Sequence, residues 1–179
     1  MLLYSSKFLE VFELFNERNI IIKKVSIDDM FCNNNFEFIH TWSRIINKFL
    51  KRDFKIEDFK EDKKKFLELL MTPEMNVIVG AFYNLKIVGI LKLHIKPQKG
   101  RLKYKGSWGL RVHPLFQNIG LGTRLLELAE EIAKTKNVNK LEAKYMEENI
   151  IAGHVYLNKL NYKKKRKESG IIKIEKVIP

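Results

Sequence analysis

The chain has 179 residues, 45% of them hydrophobic, which suffices for one domain with a sizeable core and no metal or disulfide staples. Its 34 Lys and Arg against 21 Asp and Glu give a formal charge of +13; such an excess attracts nucleic acid, anionic lipid or a phosphorylated cofactor alike, and a lysine-rich composition selects none of them. The single cysteine, Cys32, excludes an intramolecular disulfide, no Cys/His cluster has zinc-site spacing, and no apolar run approaches the roughly 20 residues of a membrane span.

Met1-Leu2-Leu3-Tyr4 carries no signal-peptide pattern, so a cytoplasmic protein without metal is expected. Phe8, Val11, Phe12 and Phe15 recur at helical spacing after Ser5-Ser6, so residues 1–19 read as a helical extension. Ile20 to Val25 is β-branched and reads as a strand. Between Ile27 and Met71 the strongest helical patterns are Phe36 to Leu50 and Ile56 to Leu70. After Thr72-Pro73 the pattern changes. Asn76 to Tyr83 and Ile87 to Ile95 form a hairpin about Asn84-Leu85-Lys86, with Gly89 inside its second strand, and Leu102 to Val112 reads as a third strand.

Thr123 to Lys134 is an amphipathic helix, ended at Asn137 to Asn139 and followed by a strand from Lys140 to Met146. A helix from about Asn149 to Leu160, a strand from Tyr162 to Lys167, a turn at Ser169-Gly170 and a strand from Ile171 to Ile178 close the chain. The expectation is a single α/β domain over 1–179 with a mixed sheet of about seven strands in one layer. The basic run Lys163-Lys164-Lys165-Arg166-Lys167 has only Tyr162 as an aromatic neighbour, whereas a nucleic-acid site calls for interleaved stacking residues.

The chemistry concentrates in Gln117-Asn118-Ile119-Gly120-Leu121-Gly122-Thr123. Two glycines one residue apart, directly before an amphipathic helix, allow successive N–H groups to face one concavity at the helix's positive end. That is an anion cradle suited to a diphosphate, with Arg124 as an additional nearby charge. It lacks the Lys-Ser/Thr ending of a Walker loop and the third glycine of a dinucleotide fingerprint.

Gln117, Gly120 and Gly122 match the Gln/Arg-x-x-Gly-x-Gly/Ala pattern, and with Leu110-x-Val112-x-Pro114 before it and the Leu125-Leu126 helix after it the segment resembles the general N-acetyltransferase (GNAT) superfamily. The resemblance runs from about Ile20 to Ile178 and is densest from Asn76 to Tyr162. It implies a GNAT-like, mostly antiparallel sheet flanked by helices, with residues 76–162 as an acetyl-CoA-binding core. It also implies acetyl transfer to an amine by direct attack. Backbone groups of Leu110 and Val112 would hold pantetheine, and Gln117, Asn118, Ile119, Gly120, Leu121, Gly122 and Thr123 the pyrophosphate.

By the same resemblance, Asn149 belongs to the cofactor site and Tyr156 is the acid that protonates the departing thiolate. The family's closing Tyr-x-x-x-Gly-Phe, aligned without a gap to Leu157 through Tyr162, instead puts Leu157 at the acid position. One inserted residue separates the two registers. The acceptor's base is open among Glu147, Glu148, His113 and His94. Asn33 to Leu50 and Tyr104 to Trp108 are the expected acceptor walls, with Trp42 and Trp108 as candidates. A catalytically silent acyl-CoA-binding module, a basic nucleic-acid domain and a homodimer remain alternatives or additions.

Overall fold

The computed structural model describes residues 19–31, 34–41, 57–72, 75–97 and 104–179. The helix expected at Phe8 to Phe15, together with Cys32 and Trp42, lies outside these residues, as does most of the expected Phe36 to Leu50 helix; the described helical segment there is 35–41. Seven strands form one sheet: β1 (Ile20–Lys24), β2 (Asn76–Tyr83), β3 (Lys86–Pro97), β4 (Tyr104–Val112), β5 (Val138–Met146), β6 (Lys163–Glu168) and β7 (Ile171–Val177), in the order β1-β2-β3-β4-β5-β7-β6. All neighbours are antiparallel except β4 and β5, which run parallel. This is the mixed, mostly antiparallel sheet expected.

Helices cover both faces, because strand alternation presents apolar side chains to each side. Leu91, Leu93 and Ile95 of β3 and Leu141 and Tyr145 of β5 pack with Leu121, Leu125, Leu126, Ala129 and Ala133 of the long helix α3 (Leu121–Thr135). Ile78, Phe82, Ile87 and Ile90 face the other way, onto Met30 of α1 (Ile27–Phe31), Phe36 of the 35–41 segment, and Leu69 and Leu70 of α2 (Glu57–Met71). Gly89 permits the α3 contact to be close: a Cβ there would lie 2.9 Å from Leu125 Cδ1. Burying α3's apolar stripe contributes roughly 1.5–3 kcal/mol for each large side chain.

The β2–β3 turn has positive φ at both Asn84 (46°) and Leu85 (64°), the geometry of a two-residue type I′ hairpin. A fully buried Asn35 fastens it: its Nδ2 donates to Leu85 O at 2.9 Å and Asp29 O at 2.6 Å, while its Oδ1 accepts from Ile87 N at 2.9 Å. Beyond α3, Asn137 takes the left-handed conformation (φ 56°) that stops the helix, as the sequence led us to expect. Among the described residues, no helix is long and apolar enough to cross a membrane.

Candidate active site

β4 and β5 are paired only from Tyr104↔Val138 to Ser107↔Glu142, after which they separate. The fork opens a cleft of about 650 Å³ between Gly109–Val112 and Lys144–Met146, closed at its far side by α4 (Ile150–His154) and the helical turn that follows it. A parallel pair joined through a helix makes this possible, since no hairpin holds the two C-terminal ends together.

The backbone on the β4 side of the fork faces the cleft. His113 N donates to Val88 O at 2.8 Å on the β3 side. Because backbone groups alternate from one edge of a strand to the other, Val112 and Leu110 turn theirs toward the edge that has lost its partner. Val112 O accepts there from the Gln117 side-chain amide at 3.1 Å, which secures the entry to the loop.

The loop is a cradle of unpaired amides. Gly120 has φ 79° and ψ 0° and caps α3 without a side chain, and Asn118 is also left-handed at φ 65°. Among the described residues, no backbone carbonyl accepts from the amides of Gly120 through Thr123, and the first such bond is Arg124 N to Gly120 O at 3.1 Å. Four successive donors at the positive end of a 15-residue helix suit an anion. At Gly120 a Cβ would meet nothing within 4 Å, so backbone conformation is the reason for that glycine; at Gly122 it would lie 3.5 Å from Leu110 Cδ2.

Of the expected cofactor residues, Leu110, Val112, Gln117, Asn118, Gly120, Leu121, Gly122, Thr123 and Asn149 all line the cleft, as does Tyr156. Ile119 has an exposed side chain outside it and can contribute only its amide. Asn149 has a structural duty as well: its Oδ1 accepts from Ala152 N at 3.0 Å and caps α4.

A local change of helix type accounts for the one-residue ambiguity at Tyr156. Residues Val155–Lys159 form a π-helical turn, in which Leu160 N donates to Val155 O, five residues back, at 3.0 Å. A π turn accommodates one residue more than an α turn. The extra residue falls between Tyr156 and the closing Leu160-Asn161-Tyr162, which is compatible with the Asn149-to-Tyr156 spacing. Asn161 takes a left-handed φ of 58° where the family pattern has Gly.

Tyr156 is 6% exposed and sits in an aromatic cluster that the sequence did not single out. Its ring lies 5.8 Å from that of Tyr145 and 5.8 Å, edge-on, from that of Tyr162. Tyr145 also lines the cleft, its phenol pushed upward by burial and by the charge of Glu147. The available signal was the Leu141, Ala143, Tyr145 alternation, which puts this side chain on the α3 face. Lys144, Arg111 and Lys159 line the cleft too and make its walls basic, which suits a polyanion.

His113 makes packing and capping contacts. Its Nδ1 accepts from Leu115 N at 3.2 Å, its ring stacks on Phe38 at 5.8 Å, and burial holds its pKa below the usual value. Glu147 is exposed and paired to Lys167 at 2.7 Å, and Glu148 is exposed. The side chain of Trp108 lies outside the described residues.

Comparison with known proteins agrees with this geometry. Residues 39–162 match the model of the acetyltransferase (GNAT) family. The fold resembles an acetyltransferase of the GNAT family from Streptococcus pneumoniae, with TM-score 0.68 and 22% identity over 89% of this chain and 99% of that one. It also resembles the PaiA N-acetyltransferase from Thermoplasma acidophilum in complex with coenzyme A (TM-score 0.64, 21% identity, 89% and 99% coverage). A third similar structure is the Campylobacter jejuni N-acetyltransferase PseH in complex with acetyl coenzyme A (TM-score 0.60, 18% identity, 88% and 98% coverage). No curated protein sequence matches the chain significantly. The forked sheet, the amide cradle and a family match spanning more than half its length make the chain a member of the acetyltransferase (GNAT) family.

Proposed function

We propose that this protein binds acetyl-coenzyme A in the β4/β5 cleft and transfers the acetyl group to a primary amine by direct attack. The observation that carries the reading is the fork itself, where the β4 edge at Leu110 and Val112 has lost its strand partner and leads into the unpaired amides of residues 120–123. A pantetheine arm carries amides that pair with a strand edge, and a pyrophosphate accepts several N–H bonds at once. Two of the similar structures hold coenzyme A or its acetyl form, which supports the same ligand here.

In this reading the β4 backbone orients the thioester at the fork, and Tyr156, walled in by Tyr145 and Tyr162, delivers a proton to the sulfur as the C–S bond breaks. An ordinary phenol is protonated at neutral pH and can act as the donor. The acceptor is a small-molecule or protein amine.

Thiol release from acetyl-CoA across a panel of amines tests the reading, alongside CoA binding by calorimetry. Tyr156→Phe should lower kcat by about 10²-fold, the low end for a general acid because a thiolate already leaves well, and should retain CoA binding. Leu157→Ala, which removes packing beside the same helix, should lower Tm and spare kcat. Saturable CoA binding with no thiol release from any amine would leave a silent binding module in place of an enzyme, and no CoA binding at all would sink the whole reading.

A further inference from the structure

An amine acceptor reaches the fork as an ammonium ion: at pH 7 only about one in 10³ of a lysine-like amine is neutral and nucleophilic. Something must take its proton. The cradle, α3, α4 and Tyr156 all occupy one face of the sheet. An acceptor approaching the opposite side of the thioester carbonyl therefore meets the other face, where β-sheet register brings together residues distant in sequence.

Asn76 pairs with His94, His94 with Ser107 and Ser107 with Glu142, so these positions form one row across β2, β3, β4 and β5. Directly opposed residues share a face. Ile78 and Ile90, which share the row's face further along β2 and β3, pack with residues of α1 and α2, so this is the face away from α3. Ser107 is the last β4 residue paired with β5, which places His94 one strand, about 4.8 Å, from the point where the slot opens.

A chain of hydrogen bonds fixes the state of the ring. Thr72 Oγ1 donates to Glu68 O at 3.0 Å and therefore accepts from Asn76 Nδ2 at 2.7 Å. That orientation turns Asn76 Oδ1 to His94 Nδ1, 2.6 Å away, and an amide oxygen requires a proton on Nδ1. The neutral ring accordingly carries its lone pair on Nε2. His94 is half-buried, whereas Glu142, the other titratable group of the row, faces Lys165 at 3.5 Å and Lys140 at 3.7 Å.

We propose that His94 is the base of the transfer reaction, its ring held by Asn76 so that Nε2 accepts the acceptor ammonium's proton at the fork. The assignment rests on the transferase reading above. The ammonium gives one proton to Nε2, and its nitrogen lone pair forms the C–N bond to the carbonyl carbon. The C–S bond then breaks with its electrons on sulfur, which takes the Tyr156 proton. The nitrogen's second proton returns through solvent to Tyr156, and the one on His94 is released. Asn76 is a positioning residue that acts through His94.

The experiment compares the parent protein with His94→Asn and His94→Ala, reading thiol release with an amine that the parent acetylates and CoA binding by calorimetry. Asn keeps a donor toward Asn76 and offers no base, so it separates chemistry from folding. Both variants should lose about 10²-fold or more in kcat while CoA affinity stays within about twofold. Added imidazole should restore part of the activity of His94→Ala, which a purely structural loss would not allow. Parent-like kcat in His94→Asn, or a loss in His94→Ala that imidazole leaves untouched, overturns the base and leaves the transferase reading standing. If the parent itself releases no thiol from any amine, both readings fall together.

Discussion

The phenol of Tyr162 donates to the buried carboxylate of Glu130 at 2.7 Å, and Lys176 reaches the same carboxylate at 2.7 Å. One hydrogen bond thus joins α3, which carries the anion cradle, to the end of the segment that carries Tyr156. The Tyr162 ring also forms one wall around Tyr156. The cradle helix and the Tyr156 segment are therefore tied by a buried polar contact as well as by their shared apolar core.

Its pH signature is distinctive. Burial first, then the hydrogen bond and charge of Glu130, push the Tyr162 phenol well above its usual value of 10. As pH rises past that value, the unfolded chain gives up this proton before the native one does. The stability that the neutral phenol supplies is complete below about pH 10 and is lost above it. Tyr162→Phe, which leaves Glu130 one donor short, should cost about 1–3 kcal/mol at pH 8. The gap between variant and parent should narrow as urea denaturation is repeated toward pH 11. A gap that stays constant over that range would contradict the assigned hydrogen bond.

His113 should show the reverse behaviour. Burial lowers its pKa from 6.5, favouring the neutral ring whose Nδ1 accepts from Leu115 N. That stability is fully present above about pH 6.5 and is lost as pH falls through the lower native value, because the unfolded chain takes up the proton first. Asn at this position keeps an acceptor for Leu115 N and does not titrate. His113→Asn should therefore flatten the decline in unfolding free energy between pH 7 and pH 4, relative to the parent, in parallel urea titrations. Superimposable pH profiles would rule the effect out.

The two loop glycines should respond differently. At Gly120, φ 79° makes any L side chain pay about 1–2 kcal/mol, and relaxing that strain would disperse the amides of the cradle. Gly120→Val should lower CoA affinity about tenfold or more, a change of about 1.4 kcal/mol. Gly122 is helical, and its added Cβ would touch Leu110 at an ordinary 3.5 Å. Gly122→Ala should therefore preserve CoA affinity and leave Tm within a few degrees of the parent, since the position is in the first turn of α3 and needs no left-handed backbone. Equal losses at both positions would contradict this division of roles.

Much of this molecule was legible in the residues themselves. The β-rich runs Asn76–Tyr83 and Ile87–Ile95 gave a hairpin, the apolar stripe of Leu125, Leu126, Leu128, Ala129 and Ile132 gave α3, and the Gly120 and Gly122 spacing marked the cradle. These are local properties, set by side-chain periodicity and by the few residues that tolerate a left-handed backbone. The structure lengthened several elements by one to three residues, because strand ladders and helix ends extend as far as a neighbour or cap supports them.

Tertiary structure alone decided the rest. The fork after Ser107 depends on how two strands separated by α3 diverge, which no local pattern encodes. The π turn at Val155–Lys159 adds a residue where alignment left the register one residue ambiguous, and Tyr156 packs there against Tyr145 and Tyr162. The row of Asn76, His94 and Glu142 assembles residues from three strands, up to 66 positions apart in the chain, and only their pairing places them on one face. Sequence determined the elements and the anion cradle, since both follow from short-range conformational preference. The cleft and the groups facing it follow from contacts between segments far apart along the chain.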